Sequence, residues 1–165
     1  MTPAPSPVRL AALLGCLTIL GAAPRSEAGP RSGGDSDPFS WAHYAGPPPT
    51  LVYGEPDTDN LSASFECLAG SGRVKLNIKS DGEQHPYGAH WRAHVRLASG
   101  ASRRVYAARG EAADLGETLS AAITTRDPLL RAFAESGQLS IEGFAQNAET
   151  PAERRAIRAF LAICR

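Results

Sequence analysis

The middle of the chain alternates between apolar and polar positions. Leu61, Ala63, Phe65 and Cys67 fall on one side of an extended segment and Ser62, Ser64 and Glu66 on the other, the period-two pattern of a half-buried strand. Gly70-Ser71-Gly72 interrupts the pattern as a turn. Val74, Leu76 and Ile78 then alternate with Arg73, Lys75, Asn77 and Lys79, so the two runs read as a β-hairpin. A polar loop from Ser80 to Gly88 precedes the cleanest alternation in the chain, with Trp91, Ala93, Val95 and Leu97 facing one way and His90, Arg92, His94 and Arg96 the other. Ser99-Gly100 signals a turn, Arg103 to Arg109 continues as a partner strand, and Leu119, Ala121 and Ile123 predict a further strand ending at Thr125.

Towards the C-terminus the period lengthens. Asp127-Pro128 opens a short helix from Leu129 to Glu135, which Gly137 closes, proline at the start and glycine past the end being the usual asymmetry. Leu139 to Phe144 reads as a short last strand. A second helix follows over 150–165. Thr150 is its N-cap, Pro151 suits the first helical position, and Glu153 completes a capping box. Ile157, Phe160, Leu161 and Cys164 recur at helical spacing as one apolar stripe. Strands in succession, without strand–helix alternation, predict a mainly β fold: an antiparallel β-sandwich or barrel-like sheet with two short helices, the second C-terminal.

The segments before Leu51 have a different character. Arg9 followed by the apolar-to-small run Leu10 to Ala23, with Ser26-Glu27-Ala28 as the cleavage signal, reads as a signal peptide over 1–28, with Ala23 as an alternative cleavage point. Pro24 and Arg25 break the run too soon for a membrane span, so no transmembrane segment is expected in the mature protein. Leu13-Leu14-Gly15-Cys16 resembles a lipobox, but lipoprotein processing through Cys16 leaves the apolar run after that cysteine unexplained and is the minor reading. Residues 29–50 are rich in Pro, Gly and Ser and read as a linker or arm. Phe39, Trp41 and Tyr44 are out of character with a linker. Two readings stand: packing on the edge of the domain, or a docking arm held extended by Pro47 to Pro49. The folded, disulfide-linked domain is expected over 51–165.

Cysteine usage and charge bound the function. With Cys16 removed, Cys67 and Cys164 remain, and an even pair in an oxidising compartment reads as a disulfide in a periplasmic or secreted protein. Lys and Arg together number 17, as do Asp and Glu, so the net charge gives no reason to expect nucleic acid as a partner. His85, His90 and His94 invite a metal reading. On a strand, however, His90 and His94 stand roughly 13 Å apart, too far to share a tetrahedral ion. The loop holding Glu55, Asp57 and Asp59 lacks the glycine and closing glutamate of a calcium loop. No nucleophile elbow, phosphate loop or dinucleotide fingerprint is present, so the reading leans against an enzyme and calls for no cofactor. What survives is the strand face of His90, Arg92, His94 and Arg96, flanked by Arg103: either a solvated outer face, or a basic strip for an acidic ligand or an envelope protein whose imidazoles charge as pH falls.

Tyr53-Gly-Glu-Pro-Asp-Thr-Asp59, Phe65-Glu-Cys67 before a Gly-rich turn, Asp127-Pro-Leu-Leu-Arg-Ala-Phe133 and the closing Phe160-Leu-Ala-Ile-Cys164 together resemble small uncharacterised periplasmic proteins of alphaproteobacteria. In plan they are more distantly similar to invasion-associated locus B proteins and to a type VI secretion accessory family. Ser64-Phe-Glu-Cys67 followed by Val74-Lys-Leu also resembles periplasmic lysozyme inhibitors, whose inhibitory loop is not recognisable here. These resemblances imply a β-rich periplasmic domain between two cysteines and carry over no site residue. The expectation is a non-catalytic binding or accessory domain of the cell envelope; the alternative is a periplasmic or secreted inhibitor of a hydrolase such as lysozyme.

Overall fold

A computed structural model of the chain describes residues 38–80, 82, 84–114 and 116–165. The expected signal peptide, Cys16 and the first part of the expected linker lie outside these residues. The inward alternation of each β segment is satisfied by one curled antiparallel sheet, a half-barrel, with both helices packed against strands of its concave side. Its strands are β1 (Ser40–Tyr44), β2 (Thr50–Gly54), β3 (Leu61–Cys67), β4 (Arg73–Ser80), β5 (His90–Ser99), β6 (Ser102–Ala113), β7 (Gly116–Thr124), β8 (Ser140–Ile141) and β9 (Phe144–Ala145). The helices are α1 (Pro128–Ser136) and α2 (Pro151–Cys164). Of the two predicted architectures the barrel-like sheet is the one formed; there is no second stacked sheet among the described residues.

The strands lie in the order β1-β2-β3-β4-β7-β6-β5-β8-β9. β1 to β4 form a meander, and the β5–β6–β7 meander is set down so that β7, not β5, pairs with β4. Inward positions carry the core: Ala63, Phe65 and Cys67 from β3, Val74, Leu76 and Ile78 from β4, Val95 and Leu97 from β5, Ala121 and Ile123 from β7. Leu129, Leu130 and Phe133 of α1, and Ile157, Phe160, Leu161 and Cys164 of α2, are buried in the same cluster. No helix of the described residues is long and apolar enough to cross a membrane.

Two devices fix α2. At its C-terminus the predicted Cys67–Cys164 disulfide is present, joining residues 97 apart in sequence. Beside it the β3–β4 turn caps the helix: Gly70 N–H donates to the Ile163 carbonyl and Gly72 N–H to that of Cys164, each at 2.9 Å. These carbonyls have no partner within the helix. Gly70 and Gly72 both sit in the left-handed region, at φ 69° and 67°, which a glycine adopts without strain. At the N-terminus the predicted capping box is formed by Thr150 and Glu153.

The expected linker is the main correction. Its second half is not an arm: Ser40–Tyr44 is the edge strand of the sheet, and the folded domain begins before residue 40, not at Leu51. Trp41 is only 3% exposed. Its ring centroid lies 5.1 Å from that of Tyr53, 5.1 Å from Phe133 and 5.9 Å from Phe65, at the centre of an aromatic cluster. Phe39 packs against the same core, and of the three aromatics Tyr44 is the one left exposed. Pro47 to Pro49, with a cis bond between Pro47 and Pro48, lie in the short connection to β2. The physical reason is a tether that the composition hides. Trp41 N–H donates to Glu153 Oε1 at 3.0 Å, and the Trp41 indole N–H donates to the Gln146 carbonyl at 3.1 Å. Glu153 thus caps its own helix with Oε2 and blocks the open edge of β1 with Oε1, a device that also protects the edge from pairing with another chain.

The expected last strand over 139–144 is also corrected. It is a minimal hairpin, β8 and β9, turning at Glu142 and Gly143 with φ of 52° and 93°. Positive φ at both central residues is the twist that suits a two-residue hairpin.

Candidate basic surface

The site is built by alternation and by the order of the strands. On β5, His90, Arg92, His94 and Arg96 point outward and are exposed, opposite buried Val95 and Leu97. The cross-strand partners on β6 pair His90 with Glu111, Arg92 with Arg109, His94 with Ala107 and Arg96 with Val105. Beyond β6 the same outer face continues through Ser120 and Ala122 of β7 to Asn77 and Lys75 of β4, with Arg73 and Lys79 on either side. The outer face of these four strands therefore carries Arg73, Lys75, Lys79, Arg92, Arg96, Arg103 and Arg109, against the single carboxylate Glu111 among its described residues. The chain as a whole has no net charge, so these four strands carry an excess of basic residues, with Glu66 of β3 directly across from Lys75 and Glu142 on Arg96.

The middle of that surface is low. Ala107, Ser120 and Ala122 have short side chains, with the Arg92–Arg109 pair on one side and Lys75 on the other. Asn77 spans part of the floor: its carbonyl oxygen accepts from Ser120 Oγ at 2.8 Å, and its amide donates to Glu66 Oε1 at 3.3 Å. At the β5–β6 turn end a shallow depression of about 630 Å³ is lined by Arg96, Arg103, Arg104, Val105 and the β8–β9 hairpin. Val105 is 63% exposed there, an apolar contact point among arginines.

The four residues singled out on β5 do not behave alike. Arg96 is engaged: its guanidinium contacts Glu142 Oε2 at 3.0 Å through Nη2 and 3.1 Å through Nε, and its backbone N–H donates to Glu142 Oε1. Arg92 has no carboxylate opposite it; its neighbour across the strand is Arg109. His90 and His94 are exposed, with Glu111 opposite the first and Ala107 opposite the second. His85 joins neither. It lies on the other side of the sheet, with Nδ1 at 3.2 Å from Glu117 Oε1 and its ring stacked on Trp91 at 3.7 Å. Trp91 in turn lies flat across Gly110, where a Cβ would fall 1.9 Å from the indole. Among the described residues, no group of three or more His, Cys, Asp or Glu is placed to hold a metal ion.

Arg109 and Lys75 are the residues that reading single strands missed. Their outward positions follow from local alternation, but their membership of one surface with Arg92 depends on β7 lying between β4 and β6. Trp41, offered with Phe39 as part of a docking arm, belongs to the core, and Phe39 packs against it, so neither forms an arm. No protein-family model, curated protein or solved structure matches this chain.

Proposed function

We propose that this protein is a non-catalytic binding domain of the periplasm, delivered by the signal peptide over 1–28, and that it engages an acidic partner of the cell envelope through the outer face of β4, β7, β6 and β5. The resemblance to small periplasmic proteins of alphaproteobacteria belongs to the same reading. The observation that carries it is the pairing of Arg92 directly across from Arg109 on an exposed face that also carries Lys75, Arg103 and Arg73. Like charges directly opposite each other on antiparallel strands destabilise the sheet. A fold that keeps such a pair gives up some stability at that surface, which fits a site held for binding. Long-range attraction from such a face also speeds the encounter with an anionic surface and makes it sensitive to salt. The disulfide supports an oxidising compartment.

The test is crosslinking of the tagged protein in cells of its source, followed by mass spectrometry, comparing wild type with Arg92→Ser/Arg109→Ser. Removal of the pair leaves Arg96 with Glu142, so the ion pair that holds the β8–β9 hairpin is untouched. The expected result is loss of the crosslinked partner in a variant whose unfolding midpoint is equal to or above that of the wild type. An unchanged set of partners refutes the proposal.

A further inference from the structure

On the concave side α2 packs against β1 and β2, and α1 against β5 and β6. Where β2 finishes and β3 begins, a cleft of about 640 Å³ opens with no helical residue in its lining. Its walls are Phe39, Tyr53, Ile78, Leu119, Ile141 and Phe144. Phe144, on the β8–β9 hairpin at the lip, is 76% exposed. A volume of roughly 300–1,000 Å³, apolar walls and a few fixed polar groups describe the usual small-molecule site, and the mouth of a β-barrel is one of its preferred places.

The polar groups at the cleft define the class of ligand. Glu142 is the lining carboxylate among the described residues, and Arg96 already neutralises it. Lys79 contributes to the rim, but its side chain belongs to the outer face of β4. The remaining polar lining residues are Ser62, Ser80 and Gln146, beside the Tyr53 phenol. Gln146 is 5% exposed; its amide Nε2 donates to Ser62 Oγ at 3.2 Å, while Oε1 is buried with no hydrogen-bond partner. A buried carbonyl oxygen without a donor is a cost that native structures relieve with water or a ligand. Its backbone is held independently, by Leu139 and by the Trp41 indole, so the backbone stays in place whatever partner the carboxamide takes. We infer that the cleft binds an uncharged, largely apolar small molecule carrying one N–H or O–H donor, which Gln146 Oε1 accepts. The cleft opens on the other side of the sheet from Arg92 and Arg109 and does not depend on that pair; the two regions meet at the Arg96–Glu142 ion pair.

The probe is N-phenyl-1-naphthylamine, which is neutral, apolar and has one N–H donor, titrated against the disulfide-intact protein and followed by fluorescence. Saturable binding with one site per chain is expected, with displacement by 1-decanol about tenfold more effective than by 1-methoxydecane, which lacks the donor. Phe144→Ala, at an exposed position that the fold does not need, weakens the probe at least fivefold, and Ala145→Trp blocks it. Gln146→Leu retains the probe but erases the preference for the alcohol. Arg92→Ser/Arg109→Ser leaves all of these unchanged. Non-saturable binding, or affinity indifferent to both Phe144→Ala and Ala145→Trp, overturns the site. Equal displacement by the alcohol and the ether in the wild type overturns the assigned ligand class.

Discussion

Glu153→Ala tests the central feature of the fold, the use of one carboxylate to cap α2 and to hold β1. Glu153 is 7% exposed and receives four hydrogen bonds: Trp41 N–H at 3.0 Å on Oε1, and Glu149 N–H at 2.9 Å, Thr150 N–H at 2.7 Å and Thr150 O–H at 2.9 Å on Oε2. Truncation removes all four acceptor contacts. Glu149 and Thr150 are exposed, so water replaces the carboxylate there, and the loss is that of a helix cap, about 1 kcal/mol. Trp41 is buried, so its orphaned N–H costs about 1–3 kcal/mol more. The total is about 3 kcal/mol, well above the roughly 1 kcal/mol expected of Thr150→Ala, which disturbs the cap alone. Urea unfolding followed by circular dichroism measures both, and hydrogen exchange by mass spectrometry over 40–45 reads the tether directly. Glu153→Ala is expected to lower the midpoint and to speed exchange in β1, whereas Thr150→Ala lowers it less and leaves β1 protected. If the two variants cost the same, or if β1 exchange is unchanged in Glu153→Ala, the tether does not hold the edge strand and the reasoning fails.

Replacing both cysteines, Cys67→Ser/Cys164→Ser, opens a loop of 97 residues and is expected to cost about 4 kcal/mol, read from denaturant midpoints of the oxidised wild type and the variant. Gly110→Ala places a methyl group against the indole of Trp91; it is expected to displace the ring and its His85 stack and to destabilise by about 1–3 kcal/mol, with a shift in Trp91 emission measured in a Trp41→Phe background. The Tyr106 hydroxyl is buried without a hydrogen bond of normal geometry, and desolvation, with the Asp127 carboxylate second, holds it well above the usual tyrosine range. Its raised native pKa means that the folded state keeps the proton longer than the unfolded chain. Stability is therefore full below about pH 10, the unfolded value, and falls as pH rises beyond it. Tyr106→Phe is expected to flatten that alkaline decline and to leave stability at pH 8 unchanged or higher, as urea midpoints at pH 8 and pH 10.5 will show.

Local patterns read well here wherever a segment answers to one partner surface. β3, β4 and β5 alternate because one face meets the core and the other meets water, and α1 and α2 announce themselves by caps whose chemistry is contained within a few residues. The short β8–β9 hairpin was hidden because strands of two residues have no period to detect, and because Glu142-Gly143 is a weaker turn signal than Asn-Gly or Asp-Gly. β1 was hidden for a different reason. Ser40-Trp-Ala-His-Tyr44 sits among prolines and glycines, and its stability comes from Glu153 and Gln146, more than 100 residues away in sequence.

The chain alone determined the strand faces, the two helices and their caps, and the cysteine pair, since each depends on neighbours in sequence or on the redox rule for a pair of thiols. Tertiary structure decided the rest. A face of β5 carrying Arg92 becomes a broad basic surface only because β7 and β6 are set between it and β4, and no local period encodes strand order. The aromatic segment before Leu51 becomes core and not arm because a buried carboxylate and a buried carbonyl, both far along the chain, satisfy the backbone and indole N–H groups that it would otherwise leave to water.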